Sequence, residues 1–248
     1  MISVCLCSYN GSQYIHEQIS SILIQLSHED ELIISDDCSS DNTNTIVKNF
    51  NDSRIRHIKN LTNIGHVKNF QNAIAQCNGD YIFLSDQDDV WFPNKIILVM
   101  SVFNLKINNN VLLVHHELSY VNATLTPLSR PSRKLNFGKQ NSISFILNQF
   151  YSAQIFGCGC AFRKDLKKWL LPFPNYTYAH DHWLAICASI AGDVFLMEAK
   201  LVSYRQHNNN LTPKNKLSFI KIIVLRIKLF TLFMISLFRF KKLVYDKK

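Results

Sequence analysis

The first half of the chain alternates two hydrophobic rhythms. Ile2–Ser8 is a continuous apolar run of strand length, and Tyr14–Leu26 then places Ile15, Ile19, Ile22, Leu23 and Leu26 at helical spacing. Glu31–Ser35 reads as a second buried strand ending in Asp36-Asp37, and Ser40-Asp41-Asn42-Thr43 supplies capping chemistry for a helix to about Phe50. Arg54–Lys59 alternates as a third strand. Asn63-Ile64-Gly65 breaks it, and His66–Cys77 resumes helical spacing through Val67, Phe70, Ala73, Ile74 and Cys77. The Asn78-Gly79-Asp80 turn leads into Tyr81–Ser85, a fourth apolar run. Beyond it the pattern predicts a helix over Pro93–Asn104, a strand over Val111–His116 and an irregular polar flap over 117–141. A strand over Tyr151–Arg163 carries Gly157 and Gly159, where backbone can approach a ligand closely. A helix over Asp181–Ala191 and two short strands within Asp193–Tyr204 follow. Strands and helices alternating at these lengths predict an α/β fold with a central, mostly parallel sheet covered on both faces.

The fourth strand ends in unusual chemistry. Asp86-Gln87-Asp88-Asp89 puts three carboxylates in four positions directly after an apolar run, and Val90-Trp91-Phe92-Pro93 follows at once. Repulsion and desolvation make such a cluster costly unless a cation or hydrogen bonds offset it. A strand of an open α/β sheet would deliver it to the edge where such folds bind ligands. An acidic turn capping the helix near Pro93 is the plainer reading, but one aspartate would satisfy a cap. Asp86 and Asp88 lie two apart, so in extended backbone they point the same way.

Charge sharpens the domain picture. The chain of 248 residues carries +9, yet residues 1–213 hold 17 Lys/Arg against 17 Asp/Glu, while residues 214–248 hold ten Lys/Arg against Asp246 alone. A neutral body argues against a nucleic-acid-binding groove, and the basic tail points to an anionic partner. The seven cysteines include no Cys-x-x-Cys and read as small buried hydrophobes of a reducing compartment. The sequence opens on a strand, with no basic segment or cleavage site before it, so no signal peptide is expected.

In order and spacing, four segments resemble family 2 glycosyltransferases with the GT-A fold. Val4–Gly11 (VCLCSYNG) is similar to the opening nucleotide-binding strand and turn, and Ile34–Thr43 (ISDDCSSDNT) to the second-strand Asp-Asp and its turn. Asn63–Asp89 combines the Asn-Ile-Gly segment, the Asn-Gly-Asp-Tyr turn and a DxD motif in the form SDQDDVW. His180-Asp181-His182-Trp183 and Tyr204-Arg205-Gln206-His207-Asn208-Asn209 resemble the catalytic-base segment and the phosphate-side loop. The resemblance covers about Ile2 to Asn210, and its wording is nearest to bacterial members that add rhamnose or related hexoses to surface polysaccharides.

That resemblance implies a single GT-A-like domain over 1–210, with a nucleotide-binding half to about 105 and an acceptor half from about 106. It implies an inverting hexosyltransferase that uses a UDP- or dTDP-sugar and Mn²⁺ or Mg²⁺. Its acceptor would be a hydroxyl of a lipid-linked oligosaccharide in O-antigen or capsule synthesis. Leaving diphosphate needs its charge neutralised, so a divalent ion on carboxylates is expected. By resemblance Asp88 would hold the metal-diphosphate, Asp86 would sit near the ribose or metal shell, and His207 would be a third ligand. Arg205 would contact the diphosphate. Cys7 and Tyr9 would line the nucleotide site, and Asp37 would accept the N3–H of a uracil or thymine ring, a proton that neutral cytosine lacks. Asp36 and Asp41 read chiefly as turn and cap residues. Asp181 would be the base that takes the acceptor hydroxyl's proton. The family commonly shows Glu-Asp here; this chain has His180-Asp181, which leaves the first acid's role open. Trp183 would be an acceptor-sugar platform or a core tryptophan. The remaining alternatives are a nucleotide-sugar-binding protein without catalysis and a metal-dependent nucleotidyltransferase.

The tail, 211–248, is apolar with spaced cations, and its longest uncharged stretch, Leu229–Phe238, falls far short of the ~20 residues that span a bilayer. On a helix of ~100° per residue, Lys221, Lys228 and Arg239 cluster on one side. This predicts an interfacial helix on an anionic membrane surface, placing the protein at the inner face of the cell membrane. A helix packed on the body and a dimer contact are the alternatives.

Overall fold

The computed structural model describes residues 1–129, 136–140, 145, 146, 148, 155–208, 210 and 219–245. A nine-stranded sheet forms its middle layer. Its strands are β1 (Ile2–Ser8), β2 (Glu31–Asp36), β3 (Ile55–Lys59), β4 (Tyr81–Asp86), β5 (Val90–Trp91), β6 (Val111–Asn122), β7 (Gly138–Lys139), β8 (Cys160–Arg163) and β9 (Asp193–Gln206). The order is β3-β2-β1-β4-β8-β6-β9-β5, with β7 pairing to β9. The first four positions are parallel, as the alternating pattern predicts. From β8 onward the sheet is mixed: β8 runs antiparallel to β4 and β6, and only β6 and β9 pair in parallel.

Alternation along the parallel strands decides which helix lies on which face. Val4, Leu6, Leu32, Ile34 and Phe83 join one core cluster with Ile15, Ile19 and Ile22 of α1 (Ile15–Leu23), Val47 of α2 (Thr43–Asn49) and Val99 and Phe103 of α4 (Lys95–Asn104). Cys5, Cys7, Ile33, Ile82 and Leu84 point the other way. They meet Phe70, Ala73 and Ile74 of α3 (His66–Gln76), Leu170 of α5 (Lys167–Leu170) and Trp183 of α6 (His180–Ala191). Strands buried on both faces read as unbroken apolar runs, which is why β1, β2 and β4 stand out in the sequence.

Three elements differ from expectation. β6 runs on to Asn122, six residues into the stretch whose polarity suggests a flap, because β9 pairs with it along its length through several register shifts. Residues 193–206 are one strand rather than two. The strand expected over 151–163 is a 3₁₀ turn at Gly157–Gly159 followed by β8; residues 151–154 of that expectation lie outside the described residues.

The described residues of the tail form one helix, α7 (Phe219–Tyr245). Its inner face is part of the main core: Leu229 and Leu232 join the α6 cluster, and Ser236 is buried against Cys187. Arg239, expected on the cationic side, turns inward, donating to the carbonyls of Trp169 and Leu170 and lying 5.3 Å from the Trp183 ring centroid. The seven cysteines are free thiols, six of them buried. Leu232→Ala should therefore cost about 2–5 kcal/mol, as buried leucine truncations do. Ile227→Ala on the exposed outer face should stay within about 0.5 kcal/mol. Urea unfolding of the two variants checks this; equal losses would mean that α7 does not pack as described.

Candidate active site

The parallel register assembles the site. Cys7 pairs with Asp86 across β1 and β4, and Ser8 with Asp36 across β1 and β2, so the segments after these strands emerge together at one sheet edge. Gln87, the middle residue of the DxD motif, ties two of them. It accepts the Tyr9 N–H at 2.8 Å and donates to the Tyr9 carbonyl at 3.0 Å. Gly11 permits this approach, since a Cβ there would stand 2.1 Å from Gln87 Oε1. Tyr9 is 48% exposed, which leaves its ring available to a ligand, whereas Cys7 is buried in the α3-side core.

Both second-strand aspartates are buried and hydrogen-bonded. Asp36 accepts from Ser8 Oγ, Asn44 Nδ2 and the N–H and hydroxyl of Ser39, which fixes the turn after β2. Asp37 accepts from Asn60 Nδ2 and the N–H groups of Ile64 and Gly65, each at 2.9 Å. It thereby anchors the turn into α3, where Gly65 has φ of +84°. A carboxylate has about four lone-pair positions; these three bonds leave room for one further donor. Asp41 accepts the Thr43 N–H and the Ser12 N–H, which makes it a cap and a loop tie.

The acidic turn is gripped by the end of β9, more than a hundred residues away. His207 Nε2 lies 2.8 Å from Asp88 Oδ2, and Asn210 Nδ2 donates to the same oxygen at 3.2 Å. The His207 ring stacks on Tyr14 with centroids 4.9 Å apart. Arg205 reaches beneath: its backbone N–H donates to Asp89 Oδ1, its guanidinium donates to the carbonyls of Asp88 and Ala123 at 2.7 Å, and it pairs with Glu17. With Arg205 only 3% exposed, its guanidinium is engaged with protein, so it serves as a brace for the turn rather than an open phosphate contact.

Electrostatics mark the same place. Burial, then the charges of Asp88 and Asp181, push the Asp86 carboxyl up to about 7. Asp89 is fully buried and is held well above the carboxylate range by burial, then by Asp88 and Asp86. A cation would relieve this crowd. Two donor sets are available. Asp88 and His207 offer a carboxylate oxygen, which suits Mn²⁺ or Mg²⁺, and an imidazole nitrogen. Asp86, Asp89 and Cys158 have ligand atoms within 4.8 Å of one another. Burial keeps the Cys158 thiol protonated, and a neutral thiol is a poor ligand for a hard cation. The donor chemistry therefore fits the Asp88–His207 side better.

Asp181 stands in the first turn of α6, its Oδ1 accepting the His182 N–H at 2.8 Å. Its charge bears directly on Asp86, so the structure brings the expected base and the acidic turn into one electrostatic neighbourhood. His180, in place of the family's acid, stacks on Phe70 at 3.8 Å, and burial lowers its pKa to about 4, so it is neutral at pH 7. Gly157 makes room for it, as a Cβ there would stand 2.2 Å from His180 Nε2. Trp183 corrects one expectation. It is fully buried, and its indole N–H donates to Leu170 O at 2.9 Å, so it is core and cannot be a sugar platform.

Several contributors are not visible in the sequence patterns. Gln18 of α1 donates to Ser85 Oγ and Asp86 O, and its polarity within a buried helical face was the available signal. Lys95 begins α4, fully buried, donating to Cys158 O at 2.8 Å and lying 3.8 Å from the Trp91 ring centroid. Burial brings its pKa down to about 7, with Cys158, Asp89 and Asp86 opposing.

A parallel α/β half opening onto a braced DxD turn, with a carboxylate facing it, defines a sugar-nucleotide transferase architecture. The chain belongs to glycosyl transferase family 2, whose sequence pattern matches residues 3–168. It is 29% identical to the dTDP-rhamnosyl transferase RfbG of Shigella flexneri over 225 residues, which is 85% of this chain and 74% of that protein. It is 32% identical to the UDP-Glc:alpha-D-GlcNAc-diphosphoundecaprenol beta-1,3-glucosyltransferase WfgD of Escherichia coli over 139 residues, 56% of this chain and 54% of that one. The structure of S. aureus TarS 1-349 in complex with UDP-GlcNAc shares the fold, with a TM-score of 0.70 at 18% identity over 92% of this chain and 66% of that one. The chain thus spans about half to three quarters of the length of these relatives.

The Asp86 carboxyl, near 4 in an unfolded chain, titrates at about 7 when folded. Between these values the folded state holds a proton that the unfolded state has lost, so stability falls as pH rises through that window. Buried Asp89 adds to the decline, and buried His180 opposes it. The contribution of Asp86 is therefore read as the difference between thermal melts of the cation-free wild-type and Asp86→Asn chains, which should move against the wild type as pH rises from about 4 to about 7. An unchanged slope in the variant would remove Asp86 as a source of the decline.

Proposed function

We propose that this glycosyltransferase moves a hexose or deoxyhexose, rhamnose included, from a UDP- or dTDP-sugar to a hydroxyl of a lipid-linked glycan. It would work with inversion in bacterial surface-polysaccharide synthesis, at the inner face of the cell membrane. The observation that carries this reading is the contact of Asp88 and His207 at 2.8 Å in the DxD turn, with the charges of Asp88 and Asp181 both bearing on Asp86. The relatives support the donor class, one being a dTDP-rhamnosyl transferase and another using UDP-Glc on a diphosphoundecaprenol-linked sugar. A mannosyltransferase of Pyrobaculum calidifontis that shares the fold, with a TM-score of 0.61, was solved with GDP-Man and Mn²⁺.

Each residue then has a task. Asp88 and His207, with Asp86, would hold Mn²⁺ or Mg²⁺, which when bound neutralises the leaving diphosphate. Tyr9 would stack on the base, and the remaining lone pair of Asp37 would accept the imide N–H of uracil or thymine. Gln87 keeps the base-side loop in register with the acidic turn. Asp181 would take the acceptor hydroxyl's proton as its oxygen attacks the anomeric carbon from the face opposite the departing diphosphate, which inverts the centre. Neutral His180, stacked on Phe70, would fix the helix start that aims Asp181.

A screen of UDP- and dTDP-sugars with Mn²⁺ and Mg²⁺, scored for hydrolysis and transfer, tests the reading; tight nucleotide binding without turnover of any donor would contradict it. Asp88→Asn should abolish transfer and weaken nucleotide-diphosphate affinity when metal is present, since a formal charge beside a dication is lost. Retained metal-dependent activity would remove Asp88 as a ligand. Asp181→Asn should leave donor affinity intact while lowering kcat by about 10²–10⁴-fold, the usual contribution of a positioned base. Parallel losses of donor affinity and turnover would mark Asp181 as structural.

A further inference from the structure

α7 is apolar on two opposite sides, and only one of them is used by the fold. At ~100° per residue, Leu229, Leu232 and Ser236 fall within an arc of ~60° that faces α6. Ile223, Ile227, Phe230, Met234 and Phe238 fall within an arc of ~80° on the far side, and all five are exposed, Ile227 by 61% and Phe238 by 73%. Isolated exposed apolar residues are ordinary, but a stripe of five along one helix face is an interaction surface.

We propose that this outer stripe docks onto an anionic lipid bilayer while the inner face of α7 remains packed on α6. Charge selects the occupant. Lys221, Lys241 and Lys242 are exposed on the same helix, and residues 214–248 carry ten Lys/Arg against one Asp, while the rest of the chain is neutral. Pairing this face with a second copy would bring two strongly basic tails together, which like-charge repulsion opposes. Anionic headgroups match it, with the apolar stripe entering the headgroup–acyl boundary. Among the described residues no helix is long and apolar enough to cross a membrane, so α7 would lie in the interface.

Docking would also orient the site. Arg226 of α7 acts electrostatically on Tyr178, whose hydroxyl bonds His182 beside Asp181. The charge of the membrane-facing helix therefore reaches the start of α6, where the proposed base stands. The benefit to catalysis rests on the lipid-linked acceptor proposed above; vesicle binding does not.

The test is co-sedimentation of the full chain with vesicles of phosphatidylcholine plus phosphatidylglycerol, and of phosphatidylcholine alone. The wild-type chain should pellet with the mixed vesicles, less so with the neutral ones, and less at high salt. The pair Ile227→Ser and Phe230→Ser should lower binding by at least about tenfold with an unchanged melting temperature. Lys241→Glu with Lys242→Glu should lower binding to the mixed vesicles only. No wild-type binding, or equal binding by all variants, would overturn the proposal. So would a concentration-dependent dimer in sedimentation velocity that the Ile227/Phe230 pair abolishes, since a second copy would then cover the face. Intact vesicle binding without transfer to any lipid-linked acceptor would leave the docking in place and refute the acceptor assignment instead.

Discussion

The acidic turn after β4 must be held together against its own repulsion, and the far end of β9 is what holds it. Asp86, Asp88 and Asp89 leave a buried parallel strand within four residues, in a setting that raises Asp86 and Asp89 out of the carboxylate range. Arg205 binds the backbone of that turn and one of its carboxylates, and His207 and Asn210 bind Asp88. Glu17 and Tyr14, at the start of α1, brace Arg205 and His207 from behind. A proton on Asp86 relieves this strain, and a divalent ion bound there, as proposed, would be a competing way of relieving it that couples stability and pH to donor binding.

The parallel half of the fold was legible because its strands are buried on both faces. β1, β2 and β4 read as unbroken apolar runs, and α1 and α3 show helical spacing to within a few residues of their ends. The second half was less so. β6 and β9 pair with bulges, and their partly exposed outer stretches carry polar residues that mimic a loop. Local polarity reports exposure, and a half-exposed strand differs from a flap only through a partner distant in sequence.

The site divides along the same line. Asp86, Asp88, Asp181 and His207 could be nominated because short motifs carry their chemistry, and the structure sets Asp88 against His207 and the charge of Asp181 upon Asp86. The roles of Arg205 and Trp183 were not, because each depends on burial created by remote elements. Arg205 has the composition of a phosphate contact but is occupied by carbonyls of residues 88 and 123 and by Glu17. Trp183 was open between sugar platform and core, and contacts from α5 and α7 decide for core. Gln87 looked like the spacer of a motif and proves to be the clip that sets its register with Tyr9. The tail could be read as an amphipathic helix with packing on the body left open, but only the structure shows that Leu229 and Leu232 are consumed by the core while Ile227 and Phe230 are not.

Whether a divalent cation binds at the Asp88–His207 pair decides whether this arrangement works as proposed. Anomalous scattering from crystals grown with UDP and Mn²⁺ measures it directly. The expected result is a single manganese peak ligated by the Asp88 carboxylate and the His207 imidazole, with the UDP diphosphate on its open side and the uracil ring beside Tyr9 and Asp37. A peak enclosed by Asp86, Asp89 and Cys158, or UDP bound away from the ends of β1, β2 and β4, would contradict it.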